Sequence, residues 1–240
     1  MGRNSYRNIE EALALEARLK KREAFKQAEA EALAVAAGKK PGSKAQKPAK
    51  ATGGGAGEVR IIGGQWRRTR LAVAQRPGLR PTPDRVRETL FNWLGQDLAG
   101  WRCIDVFAGT GALGLEAASR GAVQVRLVEQ DAGLAQQLER LTQQLKAEGV
   151  HVQRGDGIAA LTQSSPGYWH AVFIDPPFGV DALFAPAVKA AAQVLADDGF
   201  IYLEAPEPWT DEVLAEYGLQ QHRYLKAGAV HAHLLKKITA

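Results

Sequence analysis

The chain has 240 residues, 45% of them hydrophobic, enough for one sizeable domain plus an appendage, and no run approaches the roughly 20 apolar residues that span a bilayer. A single cysteine, Cys103, excludes an internal disulfide, and the N-terminus shows no apolar signal-peptide core, so a reducing cytoplasm is the expected location. The net charge of +5 is uneven: residues 1–57 hold 12 Lys+Arg against 6 Asp+Glu, and the remainder holds 19 against 20.

Residues 8–37, rich in Ala, Glu, Lys and Leu, favour a helix with a thin apolar stripe. The Gly, Pro, Lys and Ser of 38–57 read as a flexible basic linker, so 1–57 is expected to be an appendage. The folded part begins near Glu58. "VRIIGG" and "RLAVA" suggest a short hairpin, and "RPGLRPTP" a punctuated loop. Thr82 looks like an N-cap with Pro83 at the first helical position; Val86, Leu90, Phe91, Trp93 and Leu94 then share one helix face, and Gly95 closes it. Eight arginines fall between 58 and 87 (60, 67, 68, 70, 76, 80, 85 and 87) against only Glu58 and Asp84. Such a window suggests a phosphate-binding surface; a solvated face is the plain alternative.

From Trp101 onward strands and helices alternate, which implies an α/β fold with a parallel sheet covered on both faces. "QQHRYLKA" and "VHAHLLKK" read as a closing antiparallel hairpin around Gly228. Ligands of such sheets bind beyond the carboxyl ends of the strands. That rule puts Asp105, Glu129, Asp156 and Asp175 on one rim. Cys103, inside the first apolar strand, reads as core rather than as a nucleophile. His231 and His233 share a strand face; with no third metal ligand nearby they read as hairpin surface, and no metal site is expected.

"DVFAGTGALG" carries Gly109-x-Gly111-x-x-Gly114, and Glu129 lies 18 residues after Gly111, where a ribose-binding acid belongs. A nicotinamide dinucleotide and S-adenosylmethionine both need these parts. Asp105, four residues before the first glycine, tilts the choice: it welcomes a cationic amino group and repels a pyrophosphate. The second tilt is "FIDPPFG". An exocyclic amine on a nucleobase is a poor nucleophile because its lone pair is delocalised. Acceptors on both N–H groups free that pair, and Asp175 and the Pro176 carbonyl supply them. Pro176 and Pro177 preorganise the loop, and Phe178 offers a stacking face. A capping Asp with a proline turn is the plain alternative.

"DPPF" resembles the [DNS]PP[YFW] motif of methyltransferases acting on adenine N6, guanine N2 or glutamine. With "FAGTGALGLEAASRGA" and "RIIGGQWRRTRL…PGLRPTPDRVRETLFNWL" the chain closely resembles the RsmD family of 16S rRNA guanine-N2 methyltransferases over residues 58–240. The resemblance implies a Rossmann-like class I methyltransferase, with a mostly parallel seven-stranded sheet, an antiparallel C-terminal hairpin and a small N-terminal hairpin and helix. Beyond the extension 1–57, which has no counterpart in that family, it implies an RNA-binding and lid segment 58–97 and a catalytic domain 98–240. It also implies S-adenosylmethionine as cofactor, and as substrate guanine 966 of 16S rRNA in the 30S subunit or a late assembly intermediate. Residue by residue, Asp105, Phe107, Ala108, Gly109 and Gly111 would line the cofactor pocket. Glu129 would bind the ribose, Asp156 and Gly157 would meet the adenine, and Asp175, Pro176, Pro177 and Phe178 would hold the guanine. Arg80, Thr82 and Asp84 would belong to a loop over the site, Thr82 on the cofactor side. Arg60, Trp66, Arg67, Arg68, Arg80 and Arg85 would contact RNA. Nothing demands more than a monomer. An adenine-N6 methyltransferase and a noncatalytic RNA-binding assembly factor are the alternatives.

Overall fold

The computed structural model describes residues 58–72, 82–177 and 179–238, all within one compact unit, Gly53–Ala240. The expected helix 8–37, the linker 38–57, Arg80 and Phe178 lie outside the described residues. A two-stranded antiparallel ribbon, β1 (Glu58–Arg60) and β2 (Arg70–Ala72), precedes helix α1 (Asp84–Trp93). Then follow β3 (Arg102–Asp105), α2 (Ala112–Ser119), β4 (Gln124–Glu129), α3 (Ala132–Gln144), β5 (Val150–Arg154), α4 (Gly157–Thr162) and β6 (Trp169–Ile174). A 3-10 turn (Asp181–Leu183), α5 (Phe184–Val194), β7 (Leu195–Ala205), α6 (Asp211–Ala215), β8 (Leu219–Ala227) and β9 (Val230–Lys237) complete the order.

The seven-stranded sheet runs β5-β4-β3-β6-β7-β9-β8. Strands β3 to β7 pair in parallel, and β9 enters antiparallel between β7 and β8. The fold is therefore Rossmann-like, with the chain reversing its direction of travel across the sheet between β3 and β6. That reversal opens a crevice at the carboxyl ends of those two strands.

Strand alternation builds two cores. Cys103, Ala171, Phe173 and Tyr202 face α1, α2 and α3, while Ile104, Val172, Ile174 and Leu203 face α4, α5 and α6. Both faces are covered, so the central strands are nearly continuous apolar runs. Cys103 is fully buried in the first core, and burial pushes its thiol up to about 12. It cannot supply a thiolate. Among the described residues no helix is long and apolar enough to cross a membrane.

One buried carboxylate fastens the N-terminal ribbon to α2. Glu116, with no exposure, accepts from the Ile62 and Gly63 amides at 2.7 and 2.8 Å and pairs with Arg87 and Arg120. Gly64, at φ +72°, lies so close to α2 that a Cβ there would sit 1.8 Å from the Ser119 carbonyl oxygen. Arg87 therefore leaves the expected phosphate-binding surface. It is wholly buried, held by Glu116, Asp84 and the carbonyls of Arg60 and Thr82, because a charge at that depth needs every donor paired. Thr82 is likewise not the N-cap of α1. Pro83 occupies that position without a capping side chain, and the Thr82 hydroxyl is directed elsewhere.

His231 and His233 are a second correction. They are not hairpin surface: 9% and 0% exposed, they are buried because β9 runs between β7 and β8 rather than at the sheet edge. His233 Nε2 accepts from the Trp209 amide and Nδ1 meets Gln221 Oε1 at 2.9 Å, a pairing that fits the neutral ring with its proton on Nδ1. Burial and the neighbouring His231 lower its pKa to about 4. Among the described residues no group of three or more His, Cys, Asp or Glu is placed to hold a metal ion.

Candidate active site

Register and pleat set the site. Asp105 pairs with Phe173 at the end of β3–β6, and Phe173 with Tyr202 in β6–β7. Two residues further along, on the same face, stand Asp175 and Glu204. A period of two thus gathers Asp105, Asp175 and Glu204 on the α1 side of the sheet at the topological crevice.

Asp105 is 2% exposed. Its Oδ2 accepts from the Gly114 amide at 3.1 Å, while Oδ1 has no hydrogen-bond partner in the described protein. Burial first, with the charge of Glu129 adding, pushes its carboxyl up to about 7, against the Gly114 and Phe107 amides. A buried carboxylate oxygen without a donor suits a cationic ligand group, which would hold the acid ionised.

The glycine loop wraps around this acid. The Val106 amide donates to the Phe173 carbonyl and the Ala108 amide to that of Val128, so the loop continues the sheet before turning. Gly111, at φ +76°, sits at the start of α2 in the left-handed region, as the turn requires. Glu129 binds the loop back: Oε2 accepts from the Gly109 amide and Oε1 from that of Asp131, both at 2.8 Å. Its carboxylate is thereby fixed, half-exposed, beside Gly109. Phe107 is half-buried and packs on the second core. Asp156 is exposed and caps α4 through Oδ1 to the Ala159 amide at 2.7 Å. Gly157 is dictated by packing, since a Cβ would lie 2.1 Å from the Val106 carbonyl oxygen.

Beyond β6 lies a pocket of about 240 Å³. Asp175, Pro176, Pro177, Phe184, Glu204 and Pro206 are among its walls. Thr82 Oγ1 donates to Asp175 Oδ2 at 3.1 Å. Tyr202 donates to Glu204 Oε1 at 2.6 Å. Burial, then the charges of Glu204 and Asp105, raise the Asp175 carboxyl well above its ordinary range, with the Thr82 bond opposing. Burial raises Glu204 too, against its bond from Tyr202. The floor of the pocket is thus acceptor-rich, and its walls are largely proline and aliphatic. A flat base with donor groups on one edge would fit it.

The structure brings together Asp105, Glu129, Asp175 and the glycine loop, with the Thr82 hydroxyl on Asp175. Glu204 and Tyr202 were missed, although Glu204 ends a strand in the same way as the four acids named from the sequence. Arg60, Arg67, Arg68 and Arg85 are exposed and Trp66 is half-buried. Arg68 is held at φ +70° in the turn between β1 and β2. The Trp66 amide is tied to Ser119 Oγ at 2.9 Å.

A family described as "Conserved hypothetical protein 95" matches residues 59–236. The chain is 42% identical over 186 residues to "Ribosomal RNA small subunit methyltransferase D" of Escherichia coli, covering 76% of this chain and 92% of that protein. It is 41% identical over 166 residues to the protein of the same name from Haemophilus influenzae, covering 64% and 86%. A solved structure described as "Putative methyltransferase yhhF from Escherichia coli" is 39% identical at a TM-score of 0.65, covering 75% of this chain and 98% of that one.

Proposed function

The chain belongs to the RsmD family of methyltransferases, and on that premise we propose that it methylates the exocyclic N2 of a guanine, position 966, in 16S rRNA. The observation that carries the reading is the end of β6, where Asp175 and Pro176 line a pocket beside the glycine loop and the partly unpaired Asp105. The names of the relatives support the ribosomal RNA substrate, and the exposed Arg60, Arg67, Arg68 and Arg85 support its binding.

The described residues fit S-adenosylmethionine: Asp105 Oδ1 is an orphaned buried acceptor suited to its ammonium group, and Glu129 a fixed acid suited to its ribose. Phe107, Ala108, Gly109, Gly111, Asp156 and Gly157 would complete the cradle. When bound, the cofactor supplies an electrophilic methyl group on a sulfonium. Asp175 and the Pro176 carbonyl accept from the two N2 hydrogens and draw the nitrogen toward tetrahedral geometry, freeing its lone pair. Positioning for in-line attack supplies much of the acceleration. As positive charge develops on N2, Asp175 takes the proton; its raised pKa suits that task. Thr82 orients the carboxylate. Arg60, Trp66, Arg67, Arg68, Arg80 and Arg85 hold the RNA backbone, and 58–97 covers the site. The enzyme works in the cytoplasm, as a monomer, on naked rRNA, the 30S subunit or a late assembly intermediate.

The test is methylation of unmodified 30S subunits and of deproteinised 16S rRNA with labelled cofactor, followed by nucleoside mass spectrometry. N2-methylguanosine supports the reading. N6-methyladenosine, or no product on either substrate, refutes it.

A further inference from the structure

Glu204 has no part in the chemistry just described, yet it is 7% exposed and lines the same pocket as Asp175. The pairing of Ile174 with Leu203 sets Glu204 beside Asp175 on the neighbouring strand. The Tyr202 hydroxyl fixes one of its oxygens at 2.6 Å, so the carboxylate is held in place before any base arrives. Among the described residues lining the pocket, the one further carboxylate, Asp181, is exposed in the 3-10 turn. A buried reader discriminates far more strongly than an exposed one, because an unmet partner cannot turn to water.

Guanine presents N1–H next to its N2 amine, two kinds of donor on one edge. Adenine presents a bare N1 next to its N6 amine, an acceptor in the equivalent place. We propose that Glu204 selects guanine over adenine by accepting the N1–H of the base, beside the amine held by Asp175 and the Pro176 carbonyl. With adenine, the N1 lone pair and the Glu204 carboxylate are two buried acceptors with no proton between them. The inference rests on the guanine-N2 reading above and names its specificity determinant.

The probe is 2-aminopurine, which keeps the 2-amine but has a bare N1. Two 30S particles are assembled from ligated 16S rRNA, one with guanine and one with 2-aminopurine at the target position. The wild-type protein should favour guanine in kcat/KM on the order of tenfold to a hundredfold, the worth of a hydrogen bond to a charged group. Glu204→Gln should bring the ratio toward one, because the amide can accept from N1–H or donate to a bare N1. If Glu204→Gln fails to fold, Tyr202→Phe, which frees the carboxylate, should narrow the ratio in its place. A wild-type ratio near one, or an unchanged ratio in the folded variant, overturns the proposal. N2-methylguanosine formed with an unchanged ratio removes Glu204 alone; no N2-methylguanosine from the guanine particle removes the underlying reading with it.

Discussion

Thr82 and Asp175 stand 93 positions apart, and the threonine hydroxyl donates to Asp175 Oδ2 at 3.1 Å. This bond joins the residue that leads into α1 to the carboxylate that ends β6. It favours the ionised carboxylate and opposes the effects of burial and of Glu204. Removing it should therefore raise the Asp175 pKa further. Thr82→Val should move the rising limb of the pH–rate profile toward higher pH, with a loss of several-fold in rate at neutral pH and a recovery above it. A limb that stays in place would deny the bond its electrostatic role.

Asp105 carries a stability cost that depends on pH. Its carboxyl is raised from 3.8 to about 7 in the fold, so the folded state prefers the neutral acid. The cost is absent below pH 3.8, where both states hold the neutral acid, grows as the pH rises, and is complete above about 7. Asp105→Asn should therefore stabilise the ligand-free protein at pH 8 by roughly 2–4 kcal/mol, with the gain shrinking as pH falls through the same window. Cofactor affinity should drop at the same time, since the ammonium loses its counter-charge. Denaturant melts at pH 5 and pH 8 with titration calorimetry check both; equal stabilities at pH 8 would contradict the cost.

Arg67 and Arg68 are exposed at the ribbon turn, where phosphates can reach them. Arg67→Ala with Arg68→Ala should weaken RNA binding and flatten its salt dependence by about one log–log unit for each phosphate no longer neutralised. Filter binding across a salt series measures the slope. An unchanged slope removes these residues from the RNA surface.

Arg87 should behave oppositely. It is wholly buried and ties together Glu116, Asp84 and the Arg60 and Thr82 carbonyls, so Arg87→Ala breaks that network, leaves Glu116 with Arg120 as its remaining cation, and should cost roughly 3 kcal/mol of stability. Thermal melting should register the loss before any RNA measurement does. An intact melt with weakened RNA binding would return Arg87 to the surface.

The parallel sheet was legible because its central strands are apolar runs separated by helical periods and glycine turns. The positions of Asp105, Glu129, Asp156 and Asp175 at or just past strand ends were legible because each follows an apolar run. Glu204 obeyed the same rule and was overlooked because no motif surrounds it. Thr82 was misread because a threonine before a proline carries the pattern of a cap, and only tertiary contact reveals that its hydroxyl serves Asp175. Arg87 looked like its neighbours in an arginine-dense window; its partner Glu116 is 29 residues away and invisible to local composition. The two histidines were misplaced because sequence order does not reveal that the last strand inserts beside β7.

In the proposed mechanism Asp175 acts on the amine and not on the cofactor. Single-turnover methyl transfer to 30S subunits by Asp175→Ala, with cofactor affinity measured on the same preparation, tests it most directly. The rate should fall on the order of a hundredfold to ten-thousandfold while affinity stays within a few-fold, as expected when a proton acceptor is lost. An equal loss of rate and cofactor affinity, or a rate close to that of the unaltered protein, would contradict it.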